Sequence, residues 1–269
     1  MLRGIDHIVI LVRDLAQASR DYADAGFTVT PGGEHAGGAT HNALVCFGDG
    51  AYFELIAFKE PDIPQPHRWW SRLAQGEGLV DYALRSDDLP AEAERLRAAG
   101  LAGDVQDGGR IRPDGQRLAW RSVMLGPGSG LSPLPFVIQD VTPRELRVPG
   151  GDATRQALPV TRVAGLSLVV ADLQEGRRLL TALLGVEGQP TTPSAAGVAG
   201  AARFQVGRHW LELLQPAGDA GAPGAFLRDR GQGPVEVVLN GDGDAAPGAG
   251  DLLPLDATHG ARIRVGSRE

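Results

Sequence analysis

Three segments of the chain combine a short apolar run, an Asp-Leu or similar capping pair and a stretch of helical periodicity. The apolar runs cover residues 5–12, 79–85 and 165–171, and runs of this length are typical of buried strands. After the first run, Asp14 precedes apolar residues spaced three and four apart, and Gly26 follows them. Asp accepts hydrogen bonds from the free N–H groups of a first helical turn, and Gly readily ends a helix. The pattern therefore predicts a strand followed by a capped helix.

The same design recurs along the chain. Asp88 and Asp172 take the place of Asp14 in the second and third copies, so all three are predicted helix caps. Further strand-like runs follow the predicted helices, at 27–30, 42–47 and 51–58, at 117–124 and 135–139, and at 202–206 and 209–214. Each copy is therefore predicted to be a β-α-β-β-β module, and such repeats fix the architecture.

A fourth copy is truncated. It begins with the strand-like residues 234–239, but a stretch rich in Gly, Asp, Ala and Pro at 241–251 stands where the helix belongs. The Gly- and Pro-containing segment 149–159 separates the first two modules from the last two, as expected of a linker. The sequence thus predicts an α+β protein with two domains, residues 1–148 and residues 160–269.

One position changes between the copies while the framework is kept. Seven residues before the capping Asp stand His7, Asp81 and Gly165. The closing strand of module one carries Glu54, 47 residues after His7, and that of module three carries Glu212, 47 residues after Gly165. Because the framework is kept while this position changes, we expect the variable position to serve chemistry and the repeated positions to serve the fold.

In module two the closing strand ends in Gln139, which we take as the counterpart of Glu54. A register shift of one residue would place Tyr82, instead of Asp81, at the variable position. Glu54 lies in the otherwise apolar strand 52–58. A buried carboxylate is costly unless it has partners, so its placement indicates a functional site.

Composition narrows the classes of function. The 269 residues carry a formal net charge of -7, which argues against a nucleic-acid surface. Cys46 is the one cysteine, so neither an intrachain disulfide nor a cysteine-built metal site can form. The sequence shows no signal peptide, no apolar run of membrane length and no phosphate-binding or dinucleotide motif. We expect a cytoplasmic protein without a nucleotide cofactor.

The opening segment 6–15 and the closing strand 52–58, with their echoes in the later modules, resemble the vicinal oxygen chelate superfamily. Within it, the chain is similar to the glyoxalase, bleomycin-resistance and extradiol-dioxygenase group, and the segments 67–79 and 134–136 resemble a bacterial glyoxalase-like subgroup. The resemblance implies that paired modules form two incompletely closed barrel halves with a divalent metal in the cleft. Carried over to this chain, the implied metal ligands are His7, Glu54, Asp81 and Gln139.

One imidazole, two carboxylates and an amide oxygen suit Mg, Mn, Fe, Co, Ni or Zn. The family usually has a second His where this chain has Asp81, and a final Glu where it has Gln139. This departure argues against the two-His-one-carboxylate chemistry of iron oxygenases. Without a metal, His7 and Glu54 would be a hydrogen-bonded pair in the cleft.

Other residues have a functional and a structural interpretation. His41 could be a general base or contact an anionic substrate, or it could be a histidine at a strand edge. His35 lies in the Gly-rich segment 32–38, which reads as a loop that could cover the cleft. Trp69 and Trp70 could line a ligand pocket or pack against the barrel.

Three hypotheses about function follow. The first is a metal-dependent lyase or isomerase that acts on a small oxygenated molecule, with Glu54 also serving as base. The second is a protein that binds a small molecule without metal or catalysis, as drug-resistance members of the superfamily do. The third is a scaffold with a vestigial cleft. Because Gly165 offers no ligand, we expect no metal in the second half, and we consider a homodimer as the assembly.

Overall fold

The computed structural model describes residues 1–126, 133–192, 196–241 and 250–266. Its strands are β1 Leu2–Leu11, β2 Thr30–His35, β3 Thr40–Cys46, β4 Tyr52–Phe58, β5 Gly78–Ser86, β6 Ala102–Ile111, β7 Arg117–Leu125, β8 Phe136–Asp140, β9 Arg162–Val169, β10 Gln189–Thr191, β11 Val198–Val206, β12 His209–Pro216, β13 Gly233–Asn240, β14 Asp251–Leu252 and β15 Ile263–Val265. Its helices are α1 Leu15–Asp24, α2 Trp70–Leu73, α3 Leu89–Ala98, α4 Arg144–Arg147, α5 Leu173–Leu184 and α6 Gly221–Arg230, with a 3-10 turn at Gly151–Thr154.

The three predicted helix caps are confirmed. Asp14 accepts from the backbone N–H groups of two residues in the first turn of α1, at 2.9 Å each. Asp172 does the same for α5, at 2.8 and 3.1 Å, and Asp88 accepts from Ala91 in α3, at 3.1 Å. The caps fix where each helix begins.

The first two modules share one sheet, in the strand order β1-β4-β3-β2-β6-β7-β8-β5. β5 returns to pair antiparallel with β1 along most of its length. At the other junction, β2 and β6 meet through two residue pairs, Glu34 with Ile111 and His35 with Arg110. The ring therefore closes through a narrow seam and not as a regular barrel, which confirms the predicted α+β class and the paired βαβββ modules.

The last two modules form a separate seven-stranded sheet, in the order β10-β11-β12-β9-β13-β15-β14. Its two edge strands do not pair with each other within the described part of the chain. β14 and β15 have two and three residues, so the fourth module is truncated as predicted. Most of the segment 241–251 that stands in place of its helix lies outside the described residues.

The strands β1, β3 and β4 of the first sheet are buried on both faces along most of their length. In β1, Ile8 and Ile10 belong to a large apolar cluster that also holds Leu166 and Leu211 of the second sheet. Val9 belongs to a smaller cluster on the inner face. Burial on both faces explains why these strands read as continuous apolar runs and not as alternating patterns. None of the described helices has the length and apolar character needed to cross a membrane.

In the second sheet, an indole ring covers the variable position of module three. Gly165 pairs with Trp210, just as His7 pairs with Tyr52 in module one. A Cβ atom on Gly165 would stand 2.1 Å from the ring of Trp210. Glycine at this position is therefore required by packing, because the ring occupies the space that a side chain would fill.

We predict that Gly165→Ala lowers the free energy of unfolding by about 1–3 kcal/mol, because the methyl group overpacks against a buried ring. Urea denaturation followed by far-UV circular dichroism measures the loss. Gly150→Ala is the matched control, since a Cβ there meets nothing within 4 Å. Equal stability of the two variants would contradict the packing role of Gly165.

Candidate functional site

A cavity of about 400 Å³ opens on the inner face of the first sheet. Module one contributes mainly polar side chains to its wall. An aromatic and apolar wall is formed by Trp69, which precedes module two, and by Trp120, Met124 and Phe136 of module two, which also contributes polar groups such as Arg110. Cavities of this size hold small organic molecules. The principal lining residues are His7, His35, Asn42, Tyr52, Glu54, Arg68, Trp69, Arg110, Trp120 and Phe136.

Glu54 is the centre of the polar wall. Its Oε1 accepts from Asn42 Nδ2 at 2.6 Å and lies 3.2 Å from His35 Nε2. Its Oε2 lies 3.5 Å from His7 Nε2. Asn42 in turn accepts from Arg110 Nη1 at 3.3 Å. A carboxylate that is 6% exposed is thus surrounded by two imidazoles and an amide, which satisfy its buried charge.

These partners keep Glu54 ionised. Burial by itself would raise the pKa of Glu54, but the hydrogen bond and charge of His35, the charge of His7 and the hydrogen bond of Asn42 outweigh it. The pKa therefore lies well below its ordinary value. A carboxylate of this kind accepts hydrogen bonds well and binds a proton weakly.

His7 is held from its other side by Asp6. The distance from His7 Nδ1 to Asp6 Oδ1 is 2.7 Å, and Asp6 also accepts from Arg147 Nη1 at 2.9 Å and from Arg144 Nη1 at 2.5 Å. Burial would raise the pKa of Asp6, but Arg147, His7 and Arg144 together hold it well below its ordinary value. The imidazole is therefore fixed between two carboxylates, with Nε2 directed at Glu54.

Asp81 occupies the position equivalent to His7, seven residues before the cap of α3, which settles the register against Tyr82. Its Oδ2 accepts from the indole of Trp69 at 3.0 Å and lies 3.0 Å from Arg68 Nη2. Its Oδ1 accepts from the backbone N–H of Tyr82 at 2.8 Å. Asp81 therefore anchors the residues before and at the start of α2, and it does not approach Glu54.

Gln139 lies away from the cavity. The residue of β8 that corresponds to Glu54 comes three residues earlier than the sequence predicted. Val9 pairs with Glu54 in module one, and the equivalent pair in module two is Ala83 with Phe136. Phe136 is therefore the structural counterpart of Glu54.

The amide of Gln139 caps α3 instead. Its Oε1 accepts from Leu89 N at 2.9 Å, and its Nε2 donates to Asp87 O at 2.7 Å. Gln215, three residues after Glu212, accepts from Leu173 N at 3.0 Å in the same way. The repeated contact shows that this position of the closing strand supports the helix start.

His41 faces a different groove. Its neighbours in β3, Thr40 and Asn42, line the cavity, while His41 lies beside Lys59 on the opposite face, in a groove that includes His259. Alternation along a strand sends adjacent side chains to opposite faces. Burial, then the charge of Lys59, lowers the pKa of His41, but no contact joins it to Glu54.

His35 contacts Glu54 directly, although the sequence placed it only in a loop over the cleft, and the cavity residues Asn42 and Arg110 had no functional prediction. Residues 32–35 of the Gly-rich segment belong to β2, and residues 36–38 form the turn that follows it. The Nδ1 of His35 lies 3.0 Å from Thr40 Oγ1. A signal was available: Thr40 and Asn42 alternate in the next strand, so a hairpin reading of this segment would have placed His35 beside them.

The aromatic wall includes Trp69, which comes just before α2. Trp69 lines the cavity, while Trp70 packs against Phe58 with ring centroids 4.9 Å apart. His67 also lines the cavity, and burial together with the charge of Arg68 lowers its pKa to about 4. His67 is therefore neutral at physiological pH.

The four-residue metal set does not assemble. Of its members, His7 and Glu54 meet, Asp81 is bound to Trp69 and Arg68, and Gln139 caps α3. Within the described ranges, no group of three or more His, Cys, Asp or Glu side chains is arranged to hold a metal ion. The donor set in this structure therefore does not fit the ion that the resemblance implies.

The strand order, the paired modules and the inner cavity define a vicinal oxygen chelate fold. A family model for the glyoxalase-like domain matches residues 5–184, more than half of the chain, so the chain belongs to that family. No curated protein matches the sequence.

Solved structures agree on the fold. A hypothetical protein from Staphylococcus aureus, 13% identical, aligns over 98% of this chain and 99% of its own with a TM-score of 0.71. A mutant 4-hydroxymandelate synthase from Streptomyces coelicolor, 15% identical, aligns over 90% of this chain and 72% of its own with a TM-score of 0.59. At these identities the likeness establishes the fold alone.

We predict that Glu54→Gln makes stability less dependent on pH in acid. Because the pKa of Glu54 is lowered by folding, its contribution is fully present above the unfolded value near 4.5 and is lost as pH falls toward the folded value. Urea midpoints between about pH 6 and pH 3 should fall less steeply for Glu54→Gln than for the wild type. The exposed Glu94→Gln is the control, and a slope equal to the wild type's for Glu54→Gln would contradict the assigned partners.

We predict that Gln139→Leu lowers the free energy of unfolding by about 1 kcal/mol, because the first turn of α3 loses a hydrogen-bond acceptor. The same variant should leave ligand affinity unchanged. Chemical denaturation and ligand titration test both parts, with the exposed Gln174→Leu of α5 as control. A loss of ligand affinity with unchanged stability would contradict the capping role and would indicate that Gln139 belongs to the binding site.

Proposed function

We propose that the protein binds a small oxygenated organic molecule in the cavity around Glu54, and that it does so without a metal ion. The observation that carries the proposal is the preformed cavity itself: a carboxylate held ionised by His7, His35 and Asn42 faces a wall of aromatic side chains. The polar wall suits hydroxyl and carbonyl groups of a ligand, and the aromatic wall suits its apolar part.

The state of Glu54 favours binding over proton abstraction. An efficient general base has a pKa near the operating pH, whereas the pKa of Glu54 is held well below its ordinary value. A carboxylate in this state is a strong hydrogen-bond acceptor, so it can orient a ligand hydroxyl group. These properties support the binding protein among the sequence-based hypotheses.

A metal-dependent lyase or isomerase is the competing proposal. The imidazoles of His7 and His35 each contact the carboxylate of Glu54, and imidazole together with carboxylate is the donor composition of many transition-metal sites. A bound ion would supply a Lewis acid for substrate oxygens. In the present structure these groups contact one another, and Asp81 and Gln139 have other partners.

The decisive experiment is a melting screen of protein purified without a metal-binding tag, with small hydroxy, oxo and phenolic compounds. We expect some compounds to raise the melting temperature by mass action, and we expect Glu54→Gln and His35→Ala to lose most of that shift. His41→Ala, whose side chain lies outside the cavity, should keep it. Chelator should change neither the wild-type melting curve nor ligand binding.

Other outcomes would select a different function. One equivalent of divalent metal in the purified protein, with destabilisation by chelator, would favour the metal-dependent enzyme. A screen in which no compound and no metal shifts the melting curve would favour the vestigial scaffold.

The cytoplasmic location, the homodimer and the division into residues 1–148 and 160–269 stay predictions from the sequence.

A further inference from the structure

Arg68 is a cation placed on the aromatic wall of the cavity. Its Cζ lies 4.5 Å from the ring centroid of Trp69 and 4.7 Å from that of Phe136. The side chain is 27% exposed, and it is part of the cavity lining. A guanidinium stacked on two rings is weakly hydrated and rigid, so its remaining N–H groups are prepared to bind an oxygen anion.

The hydrogen bonds of Arg68 leave part of its capacity unused. Nη2 contacts Asp81 Oδ2 at 3.0 Å, but the same oxygen also accepts from the indole of Trp69. Nη1 donates to the sulfur of Met124 at 2.8 Å, and a thioether is a weak acceptor. A carboxylate oxygen in the cavity would be a much stronger acceptor for this donor, since charge-assisted hydrogen bonds are about twice as strong as neutral ones.

Two other guanidinium groups line the cavity, but both lie on its polar side: Arg110 donates to Asn42, and Arg147 is bound to Asp6. Glu54 is the ionised group of the module-one wall, and it repels an anion. Arg68 lies on the wall that carries Phe136, the structural counterpart of Glu54. A ligand with one anionic end would therefore adopt one orientation, with that end at Arg68 and its neutral oxygen groups toward Glu54.

Resting on the proposed function, we infer that the ligand is a small organic acid whose carboxylate binds Arg68 while its apolar part lies along Trp69 and Phe136. Asp81 is then a positioning residue, because it holds both Arg68 and Trp69. The module-two carboxylate that the sequence suggested as a metal ligand here supports an anion-binding guanidinium.

The test compares small carboxylic acids with their primary amides, for example phenylacetate with phenylacetamide, by tryptophan fluorescence and melting temperature. Wild-type protein should bind acids at least about tenfold more tightly than the matching amides, and added salt should reduce that preference. Arg68→Met should remove the preference while changing amide affinity little. Arg68→Lys, which keeps the charge without the planar fork, should be intermediate.

Arg97→Met is the control, since Arg97 lies on the outer helix α3 and is half exposed. The acid-to-amide preference of the wild type needs no variant, so poor folding of Arg68→Met would not remove the test. Equal binding of acids and amides by the wild type, or an undiminished preference in folded Arg68→Met, would overturn the inference and leave the proposed function standing. Failure of acids and amides to bind, together with failure of the hydroxy, oxo and phenolic compounds of the melting screen, would overturn the proposed function and the inference together.

Discussion

A carboxylate buried within a strand needs hydrogen-bond or charged partners, and the partners of Glu54 come from several strands of the first sheet. Its oxygens are met by His7, His35 and Asn42. His7 is met in turn by Asp6, and Asp6 by Arg147 of α4. Each step exists because an unpaired buried charge would cost more free energy than folding can supply. A single acidic residue therefore couples β1, β2, β3 and β4 to a helix that follows the second module.

The repeated modules show how one framework holds different contents. Where module one has Glu54, module two has Phe136 and module three has Glu212. Glu212 is fully buried, and burial raises its pKa, although Arg203 and Thr191 act against the shift. Trp210 packs over Gly165 and fills the space that a side chain at the variable position of module three would take. The framework is thus conserved by strand pairing and helix capping, while the inner face of each module is free to change.

The sequence was sufficient for the framework because its signals are local. The capping Asp residues and the apolar runs depend on neighbours within a few positions, and the structure confirms them. The counterpart of Glu54 in module two could not be identified from the sequence. The loops before the closing strand differ in length between the modules, and Gln139 is the polar residue of that strand that most resembles Glu54. Strand pairing, which is a long-range property, assigns Phe136.

Only part of the site was predicted, because local signals indicate some of its residues while the others depend on strand pairing. His7 and Glu54 lie in strands with clear periodicity, and they meet. His35 was hidden because glycines indicate a loop, yet the backbone from Thr30 to His35 forms a strand. His41 shares a strand with Asn42, and only the direction of the alternation decides which of the two faces the cavity. A sequence without strand pairing does not fix that direction.

The asymmetry between the two walls follows from these exchanges. If module two had kept a carboxylate at Phe136 and an imidazole at Asp81, the cavity would be lined by like groups on both sides. An aromatic ring at the first position instead provides a surface for a guanidinium, and a carboxylate at the second fixes that guanidinium in place. With Phe136 and Asp81 at these positions, the cavity has a polar wall around Glu54 and an aromatic wall that carries Arg68. Such a cavity can orient an unsymmetrical molecule, which a symmetric pair of modules could not do.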